Sequence, residues 1–370
     1  MKFLFFGVGD LTKPRLRILL DAIEASGHVV DSCHRNIWQG VADKSQMSGF
    51  KKISVAMKWI LSYPYLLTKY LFKSDYDHVL IAYPGILDII LLYPLAKIKK
   101  KKIIFDLFIS IYDTIVLDRQ LLRPDSLAAK MIYKIERFAI GIADHIFLDT
   151  EAHATRIQHL FDMNKKIGSI WVGVEDIFFS TPKTKSSSPP EFSWSEEKKR
   201  ILFYGQFTPL HGLENIIDAA QILKNEPIEW LIIGTGQEAP KIDQIIQDQD
   251  LQNIRRIEWV KYESLIHFID TADLCLGIFG NSGKAQSVIP NKVFQVLARK
   301  KPVLTMDSPA MHELKSKIRN PHLLTLTNPS PQNISQAILN FIPNSIKETK
   351  EEDTFSKDSI ASMFISSLQS

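Results

Sequence analysis

Cysteine is nearly absent from this 370-residue chain: Cys33 and Cys275 are the only two, far apart in sequence. That excludes a disulfide scaffold and a Cys-rich zinc site, and it suits a reducing, cytoplasmic setting. The ten histidines never fall at the His-x-x-x-His spacing of a helical metal site, so no metal and no resident cofactor are expected. Internal repeats are lacking. The apolar start, Met1–Gly7, is too short for a signal peptide, and no small-residue cleavage site follows it. Long apolar runs are lacking too. Val79–Ala96 approaches membrane length with Asp88 as its one charge, but Pro84-Gly85 splits it into a strand-like and a helix-like piece. A soluble chain is expected. No basic recognition motif is present, which argues against nucleic acid as a partner.

What is present is ordinary globular material, 45% hydrophobic and 23% charged, long enough for two domains. Charge is uneven: residues 1–180 carry a net +5, whereas residues 181–370 carry −1. Short apolar runs alternate with amphipathic segments almost from end to end. Strands are expected at Lys2–Phe6, His28–Val30, Val79–Tyr83, Ile103–Phe105, His145–Leu148 and Ser169–Val172. After the Ser/Pro/Lys tract Thr181–Pro190 the alternation resumes, with strands at Arg200–Tyr204, Trp230–Ile233, Ile254–Val260, Leu274–Phe279 and Pro302–Met306. The pattern predicts an α/β protein of two Rossmann-like doubly wound domains facing across a cleft. The expected domains are 1–178 and 199–346, with a linker at 179–198. A last helix near 350–368 is expected to pack back on the first domain.

The chemistry-bearing residues cluster where strands end. Gly7-Val8-Gly9-Asp10 follows the first strand and precedes Arg15. It suits a substrate-facing loop or a plain turn better than a dinucleotide-phosphate loop, because the third small residue of a dinucleotide fingerprint is replaced by Thr12. The second half carries three glycine loops: Gly205-Gln206 running to His211-Gly212, Gly234-Thr235-Gly236, and Gly280–Gly283 followed by Lys284. Pro290 then opens a helix holding Asn291, Lys292 and Gln295. Free amides at that helix start, with Lys284 and Lys292 nearby, suit a diphosphate, and Gln295 suits a ribose hydroxyl.

These residues resemble glycosyltransferase family 4, retaining enzymes of the GT-B fold. Pro290-Asn291-Lys292-x-x-Gln295-x-x-Ala298 followed by Lys301-Pro302-Val303 is similar to that family's Pro-x-Lys-x-x-Glu-x-x-Ala-x-Gly-x-Pro-Val segment. Ala143–Phe147 running to Thr150–Ala152, and Gly173-Val174-Glu175-Asp176-x-Phe178, resemble two of its N-terminal-side signatures. The resemblance implies a nucleotide-sugar donor held mainly by the C-terminal domain. It implies an acceptor, a glycan or lipid-linked glycan, on the N-terminal side. Family members commonly have two acids eight residues apart, where this chain has Ser287 and Gln295. The Arg and Lys that clasp the diphosphate correspond to Gln206 and His211. These departures keep a sugar-nucleotide epimerase and a non-catalytic sugar-nucleotide or glycan-binding protein as alternatives.

Acceptor-side candidates are Gly9, Asp10 and Arg15 after the first strand, and Asp106 and Asp113 after Ile103–Phe105. A carboxylate there could deprotonate a hydroxyl, or could serve capping and ion pairing. Asp106, Asp113 and Lys284 are the catalytic candidates. Lysines interleaved with aromatics over Lys51–Lys73, and a second cluster at Lys97–Lys102, suit either a core helix with a solvated face or contact with an anionic membrane surface. Placement in the cytoplasm or peripherally on the inner membrane face is therefore expected.

Overall fold

The computed structural model describes residues 1–38, 49–179, 192–343 and 353–369. The Thr181–Pro190 tract, the side chains of Lys51 and Lys52, and the segment 344–352 lie outside the described residues. The chain forms two compact units, Met1–Gly173 with Phe355–Ser370, and Val174–Thr354.

The first unit holds β1 (Lys2–Gly7), β2 (Val29–His34), β3 (His78–Ala82), β4 (Lys102–Asp106), β5 (His145–Leu148) and β6 (Gly168–Ser169). They form one parallel sheet in the order β2-β1-β3-β4-β5-β6. Its helices are α1 (Pro14–Ala25), α2 (Gly49–Leu71), α3 (Ile86–Ile98), α4 (Leu127–Ile142) and α5 (Glu151–Leu160). Strands buried on both faces need near-continuous apolar sequence, which Val79–Ala82 and Ile103–Phe105 supply. Side chains alternate across the sheet. Leu4 and Phe6 of β1 join the core formed with α2, α3, α4 and α5, whereas Phe5 packs with Leu16 of α1. Ser126 and Thr150 cap α4 and α5 by accepting from Ala129 N (3.2 Å) and His153 N (2.9 Å).

The second unit repeats the plan with β7 (Lys199–Tyr204), β8 (Ile228–Ile233), β9 (Ile254–Ile257), β10 (Leu274–Leu276), β11 (Val303–Met306) and β12 (Leu324–Thr327). These are parallel, in the order β12-β11-β10-β7-β8-β9. Around them lie α6 (Leu213–Ile222), α7 (Ala239–Asp248), α8 (Leu265–Thr271), α9 (Gly283–Ser287), α10 (Asn291–Ala298), α11 (Pro309–Lys317) and α12 (Pro331–Asn340). The final helix, α13 (Lys357–Gln369), belongs to the first unit, where it packs on α1. Two doubly wound parallel sheets make this an α/β fold of the GT-B type.

Some expected strands are shorter. Ser169–Val172 shortens to Gly168–Ser169, with Ile170 N still donating to Leu148 O of β5 (2.9 Å), while the carbonyls of Ile170 and Trp171 accept from the Arg15 guanidinium. Val79–Ala96 divides where Pro84-Gly85 predicts, into β3 and α3. No described helix is long and apolar enough to cross a membrane.

Candidate functional site

In an open parallel sheet, ligands bind beyond the carboxyl ends of the strands where strand order reverses. In the second unit that point lies between β7 and β10. Lys292, in the first turn of α10, sits there. Its side chain is only 5% exposed, and Nζ donates to the Gly277 carbonyl just past β10 (3.2 Å). The ammonium lies 3.6 Å from the centroid of the Phe203 ring on β7. No carboxylate pairs with it among the described residues, and burial holds its pKa well below the ordinary 10.5. A buried cation with a carbonyl and a ring face for company is poised for an anion. His211 is beside it: a first side-chain carbon at Gly205 would lie 3.2 Å from Lys292 Nζ and 3.5 Å from His211 Nε2. Thr208 Oγ1 lies 3.3 Å from His211 Nδ1.

The glycine loops after β7 and β8 are bound to each other. Gly205 N donates to Ile233 O (3.0 Å), Phe207 N to Thr235 O (2.9 Å) and Glu238 N to Phe207 O (3.0 Å). Any side chain at Gly234 would come within 1.8 Å of the Gly205 carbonyl oxygen, and one at Gly236 within 2.6 Å of the Phe207 oxygen. Both have φ values, +140° and +155°, that only glycine adopts readily. Arg256 supports this pair of loops from β9, donating Nη1 to Gly234 O (2.9 Å) and Ile257 O (3.1 Å) while stacking on Phe207.

In the first unit the reversal falls between β1 and β3. Arg15 and Asp106, at 2% and 1% exposure, form a buried pair there: Nη2 donates to Asp106 Oδ1 (2.7 Å) and Nε to Oδ2 (3.2 Å). Asp10 is buried and accepts from Thr12 N (3.0 Å) and Thr12 Oγ1 (2.6 Å). Gly9 offers its carbonyl to His34 Nε2 (2.9 Å). After β4 the chain makes a wide π-helical turn, Asp113–Asp118. Asp113 is fully buried and accepts from Arg156 Nη2 (2.6 Å). Its Oδ2 has no hydrogen-bond partner among the described residues. Close by, the buried Glu136 accepts from Ile111 N (2.9 Å) and Tyr112 N (2.8 Å). Desolvation pushes the Glu136 carboxyl up to about 7, with backbone donors opposing. After β5, Asp149 Oδ1 lies 2.5 Å from His153 Nδ1, both buried.

Comparison with known proteins bears on the second unit first. The family model "Glycosyl transferases group 1" matches residues 198–344. The Escherichia coli (strain K12) protein named putative colanic acid biosynthesis glycosyl transferase WcaI is 31% identical over 103 residues, 28% of this chain and 25% of that protein. A Pseudomonas aeruginosa protein named probable glycosyltransferase WbjE is 24% identical over 196 residues, 50% of this chain and 46% of that one. The matches thus span a quarter and just under half of these relatives' own lengths. Among solved structures, Anabaena HepE in complex with UDP superposes with a TM-score of 0.64 at 13% identity, covering 100% of both chains. A UDP-GlcNAc 2-epimerase from Neisseria meningitidis bound to UDP-GlcNAc shares the fold at a TM-score of 0.54, 14% identity and 100% of both chains.

The structure gathers Gly205, His211 and Lys292 at one point of the second unit, within the residues that the family model matches. Asn291, half-buried, starts α10 beside them. Lys284 is buried on α9. Gly234 and Gly236 serve loop-to-loop packing. The Gln206 side chain is exposed, and its carbonyl accepts from Thr208 N (3.1 Å). The Gln295 amide is engaged inside the domain: Tyr204 Oη donates to its Oε1 (2.9 Å) and its Nε2 donates to Tyr262 Oη (2.8 Å). One N–H remains for a ribose hydroxyl.

On the other unit, Asp106 is no accessible base, because Arg15 occupies both of its oxygens and the pair is sealed from solvent. Arg15 is equally committed. The Lys97–Lys102 cluster is partly internal: Lys99 Nζ donates to the carbonyls of Tyr70 (3.0 Å), Leu71 (2.8 Å) and Lys73 (2.6 Å), and Lys101 Nζ to that of Tyr76. Sequence reasoning missed Glu136, Arg156, Arg256 and the Asp149–His153 pair. Only the last had a local signal, an acid four residues before a histidine across a Thr cap.

Proposed function

We propose that the protein is a glycosyltransferase that moves a sugar from a nucleotide-diphosphate donor to a hydroxyl acceptor, a glycan or lipid-linked glycan. The observation carrying this reading is Lys292: a buried ammonium without a carboxylate partner among the described residues, at the strand-order reversal of the unit that resembles a glycosyl transferases group 1 domain. A diphosphate there would give the lysine its counter-ion, and the α10 amides would add their partial positive charge. Charge grows on the diphosphate as the sugar–oxygen bond breaks, so a preset cation lowers that barrier more than it tightens ground-state binding. The resemblance to a retaining family supports retention, with the departing phosphate oxygen taking the acceptor proton. That route needs no exposed carboxylate base, which agrees with the sealed Arg15–Asp106 pair.

A thermal-shift screen against UDP-, GDP-, dTDP- and ADP-sugars tests the donor class, since a ligand selective for the folded state raises its stability. Absence of any shift at millimolar ligand would refute the reading. The epimerase alternative draws on the shared fold. Product analysis without acceptor separates the two, because an epimerised sugar nucleotide would form only in that case.

A further inference from the structure

The helical layer of α2, α3 and α4 covers one face of the first unit's sheet, and its outer side should be polar if it meets only water. It is not. Along α4, Leu127, Met131, Ile135 and Phe138 form one stripe at helical spacing, exposed by 86%, 61%, 39% and 54%. Lys130, Lys134 and Arg137 lie exposed beside it. On α2, Met57, Ile60, Leu61 and Tyr65 are exposed together with Lys58, and on α3 Leu87, Leu91 and Ile98 with Lys97. Acids are scarce on these three helices: the described part of α2 has none, and Asp88 of α3 and Glu136 of α4 are buried. The exposed acids bordering the α4 stripe include Asp125, paired with Arg123, and Asp162, beside Arg137 and Phe138. The neighbouring α5 is different, showing Glu151, Thr155 and His159 outward.

We propose that the outer face of α2, α3 and α4 lies on an anionic lipid bilayer, with the α4 stripe entering the headgroup boundary and the flanking lysines meeting lipid phosphates. Apolar residues rimmed mainly by cations match an interface that is negative above and apolar below. A second copy of the chain fits worse, because pairing this face with itself would set lysines against lysines. The inference does not depend on the donor reading, since its test involves no nucleotide.

The test is sedimentation of the full chain with phosphatidylcholine vesicles and with vesicles roughly one-third phosphatidylglycerol, at low and high salt. Binding to the anionic vesicles, weakened by salt, is expected. Lys130→Ala with Lys134→Ala should lower the partition coefficient about 25-fold, roughly fivefold per lysine. Met131→Glu with Phe138→Glu should abolish binding, whereas Thr155→Glu on α5 should leave it unchanged. All these positions are exposed, and an unchanged melting temperature in each variant verifies the fold. Failure to bind, equal binding to neutral vesicles, or α4 variants that bind like the parent would each overturn the proposal. A concentration-dependent dimer dispersed by Phe138→Glu would also overturn it and assign the face to a second copy.

Discussion

Replacing Lys292 with methionine should move two measurements in opposite directions. The parent buries an ammonium at 5% exposure against one carbonyl at 3.2 Å and one ring face. Methionine has nearly the same length and no charge, so the unliganded second unit should gain about 1–4 kcal/mol. At about 2–4 °C per kcal/mol for a domain of this size, the melting temperature rises visibly. The gain depends on pH in a defined sense. Because the folded pKa lies well below 10.5, the unfolded chain binds the proton more readily. Parent stability therefore climbs as pH rises toward 10.5, and the variant loses that slope.

UDP should narrow the stability gap between variant and parent by about 1.8 kcal/mol. Losing a charge-assisted bond to a diphosphate costs about 2 kcal/mol, or roughly thirtyfold in affinity. At a ligand concentration of about 100 parent dissociation constants, the parent gains about 2.7 kcal/mol and the variant about 0.9. Scanning fluorimetry with and without UDP, followed by calorimetry, reads both effects. A variant that melts lower than the parent without ligand, yet keeps the full UDP shift, would refute the argument. Lys292 would then be a packing residue.

Three further outcomes follow from the geometry. Arg15→Ala should destabilise the first unit by about 3–5 kcal/mol by leaving Asp106 charged, buried and alone, and Arg15→Met with Asp106→Leu should recover most of it in urea melts. Gly234→Ala should lower the urea midpoint of the second unit and weaken UDP binding, because the new methyl meets the Gly205 carbonyl oxygen at 1.8 Å. Burial pushes the Asp88 carboxyl up to about 7. The folded state therefore keeps a proton that the unfolded state releases near pH 4, and this stabilisation is lost as pH rises from about 4 through 7. The melting temperature of the parent minus that of Asp88→Asn should fall across that range, and a flat difference would contradict the assignment.

The α/β class and most strands were legible because buried parallel strands require apolar runs such as Ile103–Phe105, and Gly or Pro marks where they stop. The position of Lys292 was legible because Pro290 and the glycine loops put it at a helix start. Partnerships across sequence were not. That Asp106 belongs to Arg15, 91 positions away, follows from strand order rather than from local pattern. The same holds for Lys99, whose amine closes the carbonyls at the end of α2, and for Gln295, held between two tyrosines. The outward stripe of α4 is periodic in sequence, but periodicity alone does not distinguish a buried face from an exposed one.

The mutual bonding of the loops after β7 and β8 has a consequence for ligand recognition. Three backbone hydrogen bonds and the Arg256 guanidinium make Gly205–Phe207 and Gly234–Glu238 one rigid body before any ligand arrives. If the donor diphosphate sits against these loops as proposed, their ordering entropy is spent during folding, and little remains to be spent on binding. Amide hydrogen exchange at Gly205 and Phe207 should already be slow in the free protein and should slow little further with UDP. On the proposed reading, this pair of loops is a fixed mould, not a lid.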